Sequence, residues 1–322
     1  MSRLLLTALL LLSFCSNVHA GPDPEIINPA EVAADPDFAI QGEYVGNGPW
    51  PGGEETKIGA QVIAQGEGKF RAVVFKGGLP GDGWRRGDAQ LAMEGRREEA
   101  AAKLTGKELP GGKIAGGKMT ITDADGKTRF ELKRTERKSP TLEAKPPKGA
   151  VVLFDGSTAD SFRDGKITDM KTLEAGCSAN SKHNMARLHI EFRLSWKPTA
   201  RGQGRSNSGV YIGGIPEIQV LDSFGLDGRS NECGGFYGRR EPDVNMCLPP
   251  LVWQTYDVDF SAERRDDEGR PTEPIRVTVR HNGVVIHEDY DSRGKESTPR
   301  SLHLQRHGNR VQYRNIWLVE PK

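Results

Sequence analysis

The sequence predicts an all-β protein in two parts: a smaller β-rich N-terminal domain, then a larger C-terminal β-sandwich or jelly roll. Three observations predict it. The 322 residues are enough for two domains. With 39 glycines and 20 prolines, many short strands joined by turns are favoured over long helices. Apolar and polar residues also alternate with period two. The clearest case is Leu188, Ile190, Phe192 and Leu194 between His189, Glu191, Arg193 and Ser195, which predicts one buried and one exposed face.

Taken in order, residues 1–20 have the form of a signal peptide. Arg3 supplies a positive start, residues 4–14 are apolar apart from Thr7 and Ser13, and Val18-His19-Ala20 is a small-residue cleavage pattern, so the mature chain is expected to begin at Gly21. The apolar run is too short for a permanent membrane span. Export to the periplasm or the extracellular space is therefore expected, with no transmembrane segment elsewhere. Residues 21–37, rich in Pro, Ala and acids, read as a linker. The β-rich N-terminal domain is placed at 38–135, with strands at 58–64 and 70–75 around the hairpin Gln65-Gly66-Glu67-Gly68. A Gly/Pro loop ends at Trp84. Residues 89–104 read as two strands or a short helix, and strands at 119–122 and 128–132 flank Ala124-Asp125-Gly126. Residues 136–148, basic and containing Ser139-Pro140 and Pro146-Pro147, read as the interdomain linker.

The sandwich is placed at 149–322. It opens with Val151-Val152-Leu153-Phe154 and the turn Asp155-Gly156, followed by strands at 186–195, 209–212, 215–221, 253–260, 275–280, 284–287, 302–305 and 311–319. His281-Asn282-Gly283 joins two of them, and Asn-Gly is the strongest short hairpin signal because both turn positions need positive φ.

Several function classes lack support. The net charge is +1, falling to zero without Arg3, so nothing asks for nucleic acid or an anionic membrane. The dibasic pairs sit among acids and read as solvated surface. Gly112, Gly117 and Lys118 nearly spell a phosphate-binding loop, but Met119 stands where a hydroxyl is needed and a strand follows rather than a helix. No G-x-S-x-G nucleophile elbow occurs. There is no CxxC and the histidines are scattered, so no metal site is indicated. Among Cys177, Cys233 and Cys247, the last two bracket a Gly-, Pro- and Asn-rich loop and are the disulfide candidate.

Two segments carry chemistry. On a strand, Glu217 and Gln219 point to one face about 7 Å apart; Asp222 has the opposite parity and would join them only through a bulge. Sandwich glycosidases place paired acids on one strand as E-x-D-x-x-E, and here Gln219 and Asp222 replace the second and third acids. A plain polar strand face is the alternative. His303, Gln305 and His307 share one parity if their strand runs on through His307; they are either an exposed edge or polar groups at a site, histidine being suited to acid–base work near neutral pH.

These segments occur in a recognisable order: VVLFDG from Val151, NSGVYI from Asn207, EIQVLD from Glu217, NECGGFY from Asn231, VNMCLPPLVWQTY from Val244, HNG from His281 and LQRHGNRVQYRNI from Leu304. Together they resemble the bacterial 3-keto-disaccharide hydrolase domain family over about 170 residues. The resemblance implies a concanavalin/laminin-G-like sandwich and cleavage of 3-keto-glycosides. It makes Glu217 the base, with His307 as the alternative acid/base. Asn207, Gln219, Asp222, Gln305 and Arg314 would hold a carbohydrate substrate, although Arg314 could instead tie the last strand to an acid and Asp222 could close a turn. No cofactor is required; laminin-G-like sandwiches sometimes hold calcium, but no Asp-rich loop here demands it. Two departures stand out: Gly213-Gly214 where many members carry Arg, and Arg306 where a small or acidic residue is expected. The rival expectations are a non-catalytic carbohydrate-binding module and a structural cell-surface protein.

Overall fold

The computed structural model describes residues 25–261, 266–268, 272–292 and 299–321. The expected leader and its cleavage point lie outside these residues. The protein is nearly all β. Strands β1 (Gly42–Pro49), β2 (Glu55–Ala64), β3 (Lys69–Lys76), β4 (Gln90–Glu98), β5 (Ala101–Gly106), β6 (Gly111–Ala115), β7 (Lys118–Thr122) and β8 (Thr128–Thr135) form an up-and-down antiparallel barrel, closed by pairing of β1 with β8. Closure leaves no free strand edge. Residues 89–104 thus resolve as two strands. The phosphate-loop-like run forms β6 and its turn into β7, with Gly116 and Gly117 at φ 55° and 74°.

The apolar runs of β2 and β3 are continuous because both of their faces are buried. Ile58, Ala60, Val62, Phe70, Ala72 and Val74 fill the barrel, whereas Ile63, Val73 and Phe75, with Trp84, join the core of the sandwich. Each fully buried Val, Ile or Phe side chain contributes roughly 1.5–3 kcal/mol.

The described part of the expected N-terminal linker is folded. Helices α1 (Pro29–Val32) and α2 (Pro36–Ile40) carry Pro in the first turn, and Asn28 and Asp35 cap them by accepting from Ala30 N at 3.1 Å and Asp37 N at 2.9 Å. Val32 and Ile40 pack into the barrel core together with Trp196 of the sandwich. The Trp196 indole meets the Phe38 ring edge-on and donates to Asp35.

The sandwich comprises β9 (Val151–Phe154), β10 (Phe162–Arg163), β11 (Leu173–Glu174), β12 (Cys177–Ala179), β13 (Arg187–Arg193), β14 (Asn207–Ile212), β15 (Ile218–Leu221), β16 (Trp253–Phe260), β17 (Arg276–His281), β18 (Val284–Asp291), β19 (Leu302–Leu304) and β20 (Gln312–Val319). One sheet runs β9-β20-β13-β16-β17-β18, with β11 also on β20; the other runs β10-β12-β19-β14-β15. Leu188, Ile190, Phe192, Val258, Ile316 and Leu318 of the first sheet meet Val210, Ile212, Ile218, Val220, Leu302 and Leu304 of the second. Asn282 and Gly283, at φ 50° and 80°, make the expected hairpin turn.

The other face of β13 departs from its pattern. His189, Glu191, Arg193 and Ser195 are buried as well. The segment expected as the interdomain linker is a strap across this sheet. Ser139 Oγ pairs with Thr255 Oγ1 at 2.6 Å, Thr141 Oγ1 donates to Asp257 at 2.6 Å, and Glu143 N donates to Glu191 at 2.5 Å. Ala144 O accepts from Asn315 and Trp317. Burial pulls the pKa of His189 down, but hydrogen bonds to Asp257 and Glu191 outweigh it and the net shift is upward.

The expected disulfide is not formed: Cys177, Cys233 and Cys247 are free and buried. The Cys233 and Cys247 thiols nevertheless interact with each other, and polar contacts hold the loop around them. The Asn245 amide donates to Ser223 O and Leu226 O, Cys233 N donates to Ser223 Oγ, and the Cys233 thiol pairs with the Tyr256 hydroxyl at 3.2 Å. No described helix is long and apolar enough to cross a membrane.

Candidate functional site

Register builds the site. In the second sheet Asn207 lies opposite Leu221, Gly209 opposite Gln219, and Tyr211 opposite His303. Since Val210, Ile212, Ile218, Val220, Leu302 and Leu304 face the core, Asn207, Gly209, Tyr211, Gln219 and His303 share the other face. Glu217 stands just before β15 with the same parity, and its carbonyl accepts from Tyr237 N at 3.0 Å. Gln305 stands just after β19, its N–H donating to Gly209 O at 2.9 Å.

Glu217 is the centre of this face. Its Oε2 accepts from the Tyr211 hydroxyl at 2.6 Å, and Tyr211 in turn accepts from Gln305 Nε2 at 3.2 Å. Gly209 makes the seat: a Cβ there would lie 1.9 Å from Glu217 Oε1. Among the described residues no Lys or Arg forms an ion pair with this carboxylate. Burial raises the Glu217 pKa, against the Tyr211 hydrogen bond and the charge of His307. Burial, the bond to Glu217 and its charge also hold the Tyr211 hydroxyl well above the ordinary phenol range, so it stays protonated. His303 completes the row, bonded to Ser178 at 2.9 Å, and His307 is exposed at its end.

Behind this row runs a belt of amides. Gln203 Oε1 accepts from Asn207 Nδ2 at 2.9 Å and Gln219 Nε2 at 3.0 Å, while Gln203 Nε2 donates to Asn231 O at 2.8 Å. Asn207 Oδ1 is buried without a hydrogen-bond partner. A cavity of about 680 Å³ is lined by Gly176, Arg306, Gly308 and Asn309 among others, and neither Glu217 nor His307 is part of its lining.

The structure thus brings Glu217, Gln219, Asn207 and Gln305 onto one face, with His307 at its edge. Two of the expected residues lie elsewhere. Asp222 is not bulged onto the face: it is buried, bonded to Arg205 Nε at 2.6 Å. Arg314 belongs to the other sheet, held by Glu191 at 2.7 Å. Tyr211, Gly209 and Gln203 join the site without having been among the residues expected there. The first two share the parity of Asn207 in NSGVYI and were legible; Gln203 sits in an isolated 3-10 turn, Gly202–Gly204, with no periodic signal. Among the described residues no cluster of three or more His, Cys, Asp or Glu is arranged to hold a metal ion.

The seat gives a direct prediction. Gly209→Ala is expected to push the Glu217 carboxylate aside and lower kcat/KM on a turned-over substrate at least tenfold, because a misplacement near 1 Å can cost about 10²-fold. Steady-state kinetics and a crystal structure of the variant check it.

Fold and site together define an all-β sandwich carrying a hydrogen-bonded Glu217–Tyr211 pair on the outer face of one sheet. The chain belongs to the 3-keto-alpha-glucoside-1,2-lyase-like domain family, whose model matches residues 149–319. Two solved structures from Parabacteroides distasonis ATCC 8503, both described as candidate glycosyl hydrolases, are similar to it. One is 25% identical, covering 54% of this chain and 84% of that one with a TM-score of 0.47. The other is 16% identical, covering 58% and 100% with a TM-score of 0.40. No curated protein matches the chain.

Proposed function

We propose that the protein is an exported enzyme that cleaves the glycosidic bond of 3-keto-glycosides, with Glu217 as the base. The observation that carries this reading is the seating of Glu217: a partly buried carboxylate, without a Lys or Arg ion pair among the described residues, set over a bare Gly209 and held by Tyr211. Family membership supplies the substrate class, and the signal-like residues 1–20 supply the expectation of export.

A ketone at C3 acidifies the proton on C2. Glu217 takes that proton, and the C2–H electron pair moves into an enolate on the ketone oxygen. The enolate collapses to a C1=C2 double bond, the C1–O bond breaks, and the glycosidic oxygen leaves with its pair and gains a proton. Water then adds across the double bond, so the net change is hydrolysis. Tyr211, kept protonated, and His307 are the candidate donors to the leaving or ketone oxygen. Gln305, partly exposed beside Tyr211, would hold a sugar hydroxyl, while Asn207 and Gln219, each 1% exposed and bonded to Gln203, support that face from beneath. The substrate's own ketone provides the activation of the C2 proton.

The test is incubation of the purified protein with 3-keto-trehalose or a 3-keto-glucoside while sugar release is followed; no release across several such substrates contradicts the enzyme reading. Tyr211→Phe sharpens it. Loss of the hydroxyl removes an interaction that lowers the Glu217 pKa. The acidic limb of the kcat/KM profile is expected to move to higher pH, and an unmoved limb contradicts the pairing. A binding module is the second reading, favoured by Tyr211 and Tyr237, which are 36% and 44% exposed beside Glu217. It predicts saturable binding without turnover.

A further inference from the structure

The first sheet carries a second polar centre on its outer face, away from Glu217. A cavity of about 780 Å³ opens there, lined by Arg193, Arg314, Trp253, Lys145 and Lys171 among others. Strand register places Glu191, Arg193, Gln312, Arg314 and Trp253 together on that face. Arg193 is only 8% exposed, yet among the described residues it has no carboxylate partner. Its Nε and Nη2 both donate to Gln312 Oε1, at 3.0 and 2.7 Å, and Nη2 also lies 3.4 Å from Met170 Sδ. Gln312 is fixed in this role because its own Nε2 donates to Thr172 Oγ1 at 2.9 Å.

Arg314 does not make up the missing counter-charge; it adds a second cation. The Arg193 and Arg314 guanidinium carbons lie 4.8 and 4.2 Å from the centroid of the Trp253 ring. The one buried acid nearby, Glu191, is fully engaged: Oε2 with Arg314, and Oε1 with Glu143 N and the Asn315 amide. The acids at the rim are committed as well, Glu143 to Arg314 and Asp155 to Ser157. Burial, and then the charge of Arg314, draw the Arg193 pKa down to about 10. A buried cation beside another cation, without its own anion, is an unfavourable arrangement that a bound anion relieves.

We infer that this cavity is an oxyanion site, which takes a carboxylate or sulfate group between Arg193 and Arg314 above Trp253. The group can be carried by an acidic saccharide or be a free ion. The chemistry is that of guanidinium forks meeting a planar or tetrahedral oxyanion, and it is independent of the Glu217 reaction.

The experiment is titration of the purified protein with sodium glucuronate, sodium sulfate and glucose at matched ionic strength, read by calorimetry. Saturable binding of glucuronate, of sulfate or of both, with none of glucose, supports the site; tighter glucuronate binding identifies a saccharide acid, and equal or tighter sulfate binding a free oxyanion. Arg193→Gln is expected to weaken the binding by about tenfold or more while leaving turnover of a neutral 3-keto-glucoside unchanged. Binding of neither anion overturns the inference, as does binding untouched by Arg193→Gln. If that variant does not fold, wild-type crystals soaked in sodium selenate decide: an anomalous peak between the two guanidinium groups is expected, and its absence overturns the site.

Discussion

Glu217→Gln is expected to lower kcat/KM on a 3-keto-glucoside by roughly 10²–10⁴-fold, the usual contribution of a positioned general base. The substitution keeps the shape of the side chain and an oxygen able to accept from Tyr211, so what it removes is the ability to take a proton. Stability separates this from simple damage. Burial raises the folded-state pKa of Glu217 above its unfolded value. Between those two values the folded state binds more protons than the unfolded state, so stability falls as pH rises through that window and stays lower above it. An amide escapes this penalty. Urea denaturation at neutral pH is therefore expected to show the variant at least as stable as the wild type while turnover is lost. A variant that loses both together contradicts the assignment.

Asp222→Ala is expected to do the reverse, costing about 3–5 kcal/mol of stability with little effect on the turnover of each folded molecule. The Arg205 and Asp222 side chains are 7% and 1% exposed and are bonded at 2.6 Å. Arg205 also donates to Pro198 O at 2.8 Å and, in the barrel, to Ala64 O at 3.1 Å, so this one guanidinium joins the sandwich to the barrel. Without Asp222 it is a buried cation short of its counter-charge. A lowered urea midpoint with kcat/KM per active molecule preserved at low temperature is the expected result. Loss of activity at unchanged stability would return Asp222 to the substrate.

How far the sequence could be read follows from the range of each interaction. Alternation at Leu188, Ile190, Phe192 and Leu194 reported the core face of β13 because period two is local. The burial of His189 and Glu191 was not legible, since their cover comes from the strap at Ser139, Thr141 and Glu143, some fifty residues earlier. Strand β6 was missed because its glycines pack closely against β7 with no side chains to alternate. Strands β10, β11 and β12 are too short to show a period. Of the site, the shared parity of Glu217 with Gln219, and of Asn207 with Gly209 and Tyr211, was present in the text. Their meeting depended on the pairing of β14 with β15. The departures of Asp222 and Arg314 from the site have one cause: each found a buried partner of opposite charge, Arg205 and Glu191, that no spacing rule identifies.

The central claim is that Glu217 removes the C2 proton of a 3-keto sugar and that bond cleavage follows. The most direct measurement compares sugar release by the wild-type protein from a 3-keto-glucoside bearing hydrogen or deuterium at C2. A primary isotope effect on kcat/KM is predicted, with release from both substrates lowered roughly 10²–10⁴-fold by Glu217→Gln. Release at equal rates from the two substrates, continuing undiminished in Glu217→Gln, would contradict the account.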